Sequence, residues 1–365
     1  MKPTEITVDL GDRSYPVYAG SGMISTLAPV CRQHGLSGDI VIITDRNVAP
    51  LYLRPLVNAL VHHQFHPTTI VLPAGESQKN LRRVNALYTE MLEKRIPRSA
   101  AVLAFGGGVI GDLAGFTAAS YQRGIRLVQV PTTLLAQVDS SIGGKVGVNH
   151  PLGKNMIGAF HQPRFVWMDA EYLRTLPPRE IVCGLGEVVK YGIIRDAAFF
   201  TDVEDRLQQM INREEGDLQR VVARCAALKA DVVAQDEKEA GVRAILNFGH
   251  TVGHGLESAG NYKLLKHGEA VLLGMLAESF IAREMGMLGK PEYDRIAALI
   301  ARVPMNVKVG SLKTPDIFRA MGRDKKRVGT KLRFVLPTTI GSVGIVDSVE
   351  ESLVRASIKE LKRIY

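Results

Sequence analysis

Residues Ala101-Val102-Leu103-Ala104-Phe105 form an apolar run that passes directly into Gly106-Gly107-Gly108-Val109-Ile110-Gly111-Asp112. The run has the length and content of a buried strand, and Gly106, Gly108 and Gly111 give the G-x-G-x-x-G spacing at the start of a helical stretch. Such glycines let backbone N–H groups approach a pyrophosphate and set it at a helix N-terminus, where the dipole favours negative charge. The same spacing also serves a tight structural turn, so the motif alone leaves both readings open.

Working outward, residues 39–45, 68–72 and 126–130 are further short β-branched runs, each closed by Gly, Pro, Asp or Thr. Residues 77–94 carry Leu81, Val84, Leu87, Met91 and Leu92 at helical spacing between two of the runs. This alternation predicts a Rossmann-like parallel sheet with crossover helices, an α/β fold whose ligands bind at the carboxyl ends of strands. From Leu176-Pro177-Pro178 onward the pattern changes to long helical segments at 203–210, 218–234, 245–258 and 271–285, with 334–346 extended. The expected organisation is an NAD-binding α/β domain over residues 1–178 and a mostly α-helical domain over residues 179–365, without internal repeats.

At 365 residues, 46% hydrophobic and 23% charged, the composition is that of a globular chain and excludes general disorder. No apolar run reaches the roughly 18 residues that span a bilayer, and residues 1–20 lack the basic start and apolar core of a signal peptide, so a soluble cytoplasmic protein is expected. Cys31, Cys183 and Cys225 are odd in number, widely spaced and read as reduced thiols. The net charge of +9 is dispersed, with no basic run longer than Lys325-Lys326-Arg327. That pattern fits an anionic small-molecule substrate better than a nucleic acid or a membrane.

After the glycine loop an ordinary dinucleotide fold would place a ribose-binding acid, but the corresponding region carries Thr132 and Thr133. Asp45 and Glu76 at other strand ends fit either the ribose role or plain turn formation, with Lys79 near a phosphate. Residues 137–155 concentrate small residues around Asp139, Lys145, Lys154 and Asn155, an expected loop clamp for phosphate or carboxylate, against solvated lysines as the alternative. Glu187 and Lys190, three apart, share one helix face, either toward a cleft between the domains or as an exposed pair.

Residues 243–257 place Arg243, Asn247, His250 and His254 within about one 60° sector at roughly 100° per helical residue. A solvated face would have no use for Gly249, Gly253 and Gly255, each costing on the order of 1 kcal/mol relative to alanine, so the glycines predict close approach of a backbone or ligand. His267 opens another helix. One carboxylate and two imidazoles with an open position make a usual catalytic zinc set. Position 251 is threonine, so the glutamate of the zinc-protease helix is missing. Spacing does not decide whether His250, His254 or both bind metal.

Taken in order, the glycine loop, residues 139–145, Gly153-Lys154-Asn155, Gly186-Glu187 with Lys190, Asn247-Phe248-Gly249-His250 with Gly253-His254, and Lys266-His267-Gly268-Glu269-Ala270 resemble the 3-dehydroquinate synthase family of sugar phosphate cyclases over nearly the whole chain. The resemblance implies a carbon–oxygen lyase that converts 3-deoxy-D-arabino-heptulosonate 7-phosphate to 3-dehydroquinate and phosphate. That is the second step of the shikimate pathway, toward chorismate and aromatic amino acids. It implies transient oxidation by NAD, phosphate elimination, reduction and intramolecular aldol closure, with Zn2+ or Co2+ and a homodimer.

Carried over residue by residue, the resemblance makes Glu187, His250 and His267 the metal ligands and leaves His254 beside the ion to handle a proton or orient substrate. Lys145, Lys190, Arg243 and Asn247 are the further catalytic candidates, and Arg123, Asp139, Asn155, Lys229 and one of Lys325 and Lys326 complete the substrate pocket. NAD falls to Asp45, Asn47, Glu76, Lys79, Gly108, Val109, Ile110, Gly111, Asp112, Thr132, Thr133, Asp139, Lys145, Lys154, Tyr172, Leu173, Arg174 and Thr175. Rival readings are another sugar phosphate cyclase, an NAD- and metal-dependent glycerol-type dehydrogenase that releases NADH, and a non-catalytic anion-binding module. The 139–155 clamp argues against the dehydrogenase, and three metal ligands argue against the module.

Overall fold

Strand-like runs that are apolar at both odd and even positions are satisfied only by a sheet covered on both faces. The computed structural model, which describes residues 3–324 and 333–365, has such a sheet. The chain opens with β1 (Thr4–Val8), β2 (Tyr15–Gly20), α1 (Ile24–Gln33), β3 (Asp39–Asp45), α2 (Arg54–His62) and β4 (His66–Leu72). It continues through α3 (Leu81–Glu93), β5 (Ala101–Gly106), α4 (Gly108–Ser120), β6 (Arg126–Pro131), a hairpin of β7 (Lys145–His150) and β8 (Gly153–Phe160), and β9 (Val166–Asp169). Helices α5 (Pro178–Arg195), α6 (Ala197–Ile211), α7 (Glu215–Gln235), α8 (His250–Ala259), α9 (His267–Glu284), α10 (Lys290–Ala301) and α11 (Thr314–Asp324) follow. The strands β10 (Phe334–Thr339) and β11 (Ser342–Val346) pair before a last helix, α12 (Glu351–Ile364).

The seven-stranded sheet runs β1-β2-β9-β6-β5-β3-β4, parallel except for β1. Its alternation is visible residue by residue. Val41, Ile43, Val102 and Ala104 pack under α3, α4 and β7, whereas Ile40, Ile42, Ala101, Leu103 and Phe105 pack under α1 and α2. Because β4 lies on one side of β3 and β5 on the other, the order reverses between β3 and β5, the position where open α/β sheets bind ligands. The region expected as a loop at 145–155 is instead the β7–β8 hairpin, whose Val146 and Val148 join the core beneath α4. Period-two burial of these valines among many glycines was too short a signal to read as a strand.

The chain divides into two compact units, Met1–Leu176 with Arg213–Lys238, and Pro177–Asn212 with Glu239–Tyr365. The first division falls at the proline pair, but α7 packs in the first unit, on β1, β2 and the turn Ala136–Ser140. In the second unit α9 is central, touched by α5, α8, α10, α12 and β10. It is buried on nearly every face, which is why its sequence is apolar all round rather than striped. Among the described residues no helix is long and apolar enough to cross a membrane.

The long helix expected across 245–258 is corrected by the structure. A 3₁₀ turn, Val242–Asn247, ends before Phe248, Gly249 takes the left-handed conformation at φ +79°, and α8 starts at His250. The break has a packing cause, since a Cβ on Gly249 would lie 2.8 Å from the Val271 carbonyl of α9. Arg243 and Asn247 therefore do not share a continuous helix face with His250 and His254.

Glycines also govern how α5, α8 and α9 meet. A Cβ on Gly268 would sit 1.8 Å from the Cys183 carbonyl, one on Gly186 2.5 Å from the Gly268 carbonyl, and one on Gly274 1.9 Å from the Gly249 carbonyl. Gly268→Ala should lower stability by about 1–3 kcal/mol or more, the cost of overpacking where neither backbone can yield. Gly310→Ala, which meets nothing within 4 Å, should leave it nearly unchanged. Urea unfolding of the two variants checks this, and equal midpoints would contradict the packing account.

Candidate functional site

In the first unit the cofactor candidates gather along the carboxyl edge of the parallel strands. Asp45 ends β3, and its Oδ1 accepts from Asn47 N at 2.8 Å and Val48 N at 3.2 Å, so it shapes the turn that presents Asn47. Gly108, Val109, Ile110, Gly111 and Asp112 form the first turn of α4 directly after β5. The glycines fit tight surroundings here, since a Cβ on Gly108 would meet Ser140 Oγ at 3.1 Å and one on Gly111 Gln129 Oε1 at 3.0 Å. Thr132 and Thr133 follow β6, and Tyr172, Leu173, Arg174 and Thr175 lie in the 3₁₀ turn after β9. Gln137 Nε2 donates to Pro131 O and Asp169 O, joining the ends of β6 and β9. Along this edge the hydroxyls of Thr44, Thr132 and Tyr172 are buried without a hydrogen-bond partner.

A polar network continues from this edge. Lys79, nearly buried, pairs with Asp112 and donates to Asn155 Oδ1 at 2.6 Å. Burial pushes the Asp112 carboxyl up despite that ammonium. Asn149, which the sequence did not single out, donates to Glu76 Oε1 at 2.7 Å and accepts from Asn155 N at 2.9 Å. Asn155 itself is held at φ +55°. Lys145 opens β7 opposite Phe160, whereas Lys154 and Asn155 follow the turn at the other end. Their backbones are separated by roughly 10–13 Å along the strand.

Asp139, in the turn Ala136–Ser140, receives Lys229 of α7 on both its carbonyl and its Oδ1, each at 2.6 Å. Arg123 stands apart, beyond the C-terminus of α4 at φ +66° and on the opposite edge of the sheet from the glycine loop. Lys325 and Lys326 lie outside the described residues.

In the second unit Glu187 and Lys190 project from α5, both essentially fully buried, which removes the reading of an exposed pair. Lys190 Nζ is ion-paired with Glu187 Oε2, while Glu187 Oε1 lies 3.7 Å from His250 Nε2 and 3.6 Å from His267 Nε2. Neither Glu187 oxygen has a hydrogen bond of acceptable geometry. Tetrahedral bonds of roughly 2.1 Å put neighbouring ligand atoms about 3.4 Å apart, so the three atoms stand close to the spacing a zinc-type ion requires.

The backs of both rings are held. His250 Nδ1 is 3.0 Å from Phe248 O, and His267 Nδ1 is 3.2 Å from Glu257 Oε2, as outer partners hold metal-binding imidazoles. Glu257, buried and three residues beyond His254, was visible in the sequence only as an acid on the same helix. A second set, His254, Glu257 and His267, also lies within reach of one ion, but it would take the carboxylate that secures His267. His254 stands edge-on to His250, ring centroids 5.2 Å apart.

The three groups act strongly on one another. Burial works against ionising Glu187, yet the Lys190 ammonium and the two imidazoles hold its carboxyl well below the usual range. Burial, reinforced by Lys190, pushes His250 down to about 3, which keeps it a neutral donor. Burial also opposes charge on His267, but the Glu187 and Glu257 carboxylates push it up to about 10. Arg243 is buried in the preceding 3₁₀ turn, and Asn247, exposed, donates to Glu239 Oε1 at 3.0 Å.

Residues 69–183 match the family described as 3-dehydroquinate synthase N-terminal, and residues 184–327 match 3-dehydroquinate synthase C-terminal. A protein named 3-dehydroquinate synthase from Desulforamulus reducens is 45% identical over 356 residues, covering 97% of this chain and 99% of its own. Among solved structures, 2-deoxy-scyllo-inosose synthase complexed with carbaglucose-6-phosphate, NAD+ and Co2+ has a TM-score of 0.89 at 26% identity, over 98% of this chain and 100% of that one. A 2-epi-5-epi-valiolone synthase from Streptomyces hygroscopicus with NAD+ and Zn2+ bound has a TM-score of 0.88 at 29% identity, over 98% and 99%.

The two overlapping sets differ in what they require of His254. Glu187→Ala and His267→Ala should lose stoichiometric Co2+ or Zn2+, whereas His254→Ala should retain it, as measured by elemental analysis after dialysis. Loss of metal in the His254 variant would favour the set containing Glu257.

Proposed function

The chain belongs to the 3-dehydroquinate synthase family, and from that membership we propose that it converts 3-deoxy-D-arabino-heptulosonate 7-phosphate to 3-dehydroquinate and phosphate, the second step of the shikimate pathway. The observation that carries the reading is the buried Glu187 carboxylate facing His250 Nε2 and His267 Nε2 at 3.7 and 3.6 Å. No exposed salt-bridge face has this character, and a non-catalytic anion-binding module has no use for it.

Glu187, His250 and His267 would hold the divalent cation, and the carboxyl edge from Asp45 through Gly108–Asp112 to Thr175 would hold NAD. When bound, the cation supplies Lewis-acid polarisation of a hydroxyl or ketone, and NAD supplies reversible hydride exchange. Lys190, ion-paired with Glu187, is placed to steady an oxygen that gains negative charge, in a site dry enough for such a contact to count. His254, on the His250 face of α8, is the group that can carry a proton. Lys229 and Asp139 form a preset pair whose carboxylate accepts from substrate hydroxyls and whose ammonium meets an anionic substrate oxygen. Arg243 suits a carboxylate held by two parallel hydrogen bonds. For ring closure, proximity within the reactant contributes more than further acid–base help.

The same proposal includes Zn2+ or Co2+ as the ion, supported by the ions named for the two solved neighbours. It includes cytoplasmic residence, supported by three buried cysteines outside any disulfide, and a homodimer, supported by family membership.

Purified protein with NAD and Co2+ or Zn2+ should release inorganic phosphate from the heptulosonate phosphate and yield a product of the mass of 3-dehydroquinate, without net NADH. Stoichiometric NADH would instead identify a dehydrogenase, and no turnover at full metal loading would overturn the reading. Arg243→Ala should lower kcat/KM roughly ten- to hundredfold, the loss of a charge-assisted hydrogen bond of about 1.5–3 kcal/mol. Unchanged constants would remove Arg243 from the pocket.

A further inference from the structure

His250 and His267 are each the first residue of a helix. The ion they would share therefore sits beside two helix N-termini, each equivalent to about half a positive charge. Unopposed, that field repels a cation. Helix α9 answers it within its own first turn: Glu269, buried, accepts from Lys266 N at 2.8 Å and is gripped by Arg179 through two contacts of 2.7 Å.

Helix α8 has no acid in its first turn, and its N-cap is Gly249. A serine or aspartate cap is excluded there by the positive φ and by the Val271 carbonyl, 2.8 Å from where a Cβ would be. The close packing of α8 on α9 thus removes the usual means of capping the helix that carries His250. The acceptor comes from elsewhere. Glu278, fully buried about three turns along α9, takes the Gly249 N–H at 2.7 Å on Oε2 and the Val252 N–H at 3.1 Å on Oε1.

We propose that Glu278 is a positioning residue for the metal centre, holding the start of α8 and supplying the negative charge that lets a divalent cation bind at its N-terminus. This rests on the metal reading given under Proposed function. Glu278 accepts from the backbone N–H groups of Gly249 and Val252. Its influence passes through the backbone on either side of His250 and through the field at that helix end. A cap that serves folding alone would stabilise the metal-free and metal-loaded proteins alike, whereas a counter-charge acts on the cation.

Glu278→Gln preserves the shape of the side chain and removes its charge. Co2+ affinity, measured by competition with a chromophoric chelator, should fall about ten- to hundredfold, as for outer partners of metal ligands generally. The visible cobalt absorption of the saturated variant should keep the wild-type band pattern, because the three ligands remain. Wild-type affinity in a folded Glu278→Gln protein overturns the inference, whatever its melting temperature. A wild-type protein that binds no Co2+ overturns the metal reading and this inference with it. Should the Glu278 variant not fold, Glu269→Gln carries the test at α9, with a smaller loss expected because Arg179 already offsets that carboxylate. Unchanged affinity there overturns the inference equally.

Discussion

Packed helices ordinarily keep their axes roughly 8–10 Å apart because side chains fill the space between them. Where α5, α8 and α9 meet, glycine removes those side chains, and carbonyl groups of one helix rest where a Cβ of the next would be. Three groups that cost free energy to bury, a carboxylate and two imidazoles, are brought to one point by this contact. A buried carboxylate ion-paired on one oxygen and short of good hydrogen bonds is tolerable only if positive charge is available to it. Lys190 provides part of that charge, and the converging Nε2 atoms mark where the remainder belongs.

The sheet contributes differently. Its strands are nearly featureless apolar ladders, and the functional groups cluster where the ladders stop. The reversal of strand order between β3 and β5 sends the connections after these strands to opposite faces of the sheet, α2 on one and α4 on the other, and the turns at the strand ends carry Asp45, Asn47 and the glycine loop. Lys79 and Asn149 then connect this edge to the hairpin, so the position of Asn155 depends on the same residues that border the glycine loop.

Much of this was legible in the sequence, since β3, β4, β5 and β6 were marked by short apolar runs and the glycine loop by its strand-to-helix context, whereas the parallel strands β2 and β9 were not singled out. Gly249 and Gly253 carried the right message about close approach. The continuous polar stripe from Arg243 to His254 was misread because periodicity cannot register a single left-handed residue, and Gly249 is the point where the angular count restarts. The choice of His250 over His254 in front of Glu187 depends on ring orientation, held for His250 by the Phe248 carbonyl, which has no periodic signature. Glu278 was hidden for a similar reason, because its partners are backbone N–H groups 26 and 29 residues away.

Helix α7 belongs by sequence to the second half of the chain and by packing to the first unit, where Val221, Val222 and Cys225 are buried. Neither unit is thus a contiguous stretch of polypeptide. A fragment cut at the proline pair would leave the antiparallel margin of the sheet bare and would forfeit Lys229, the ammonium that steadies Asp139. The halves are interlaced through their connectivity, so during synthesis the ribosome must deliver more than two hundred residues before the nucleotide-type fold can close its own surface.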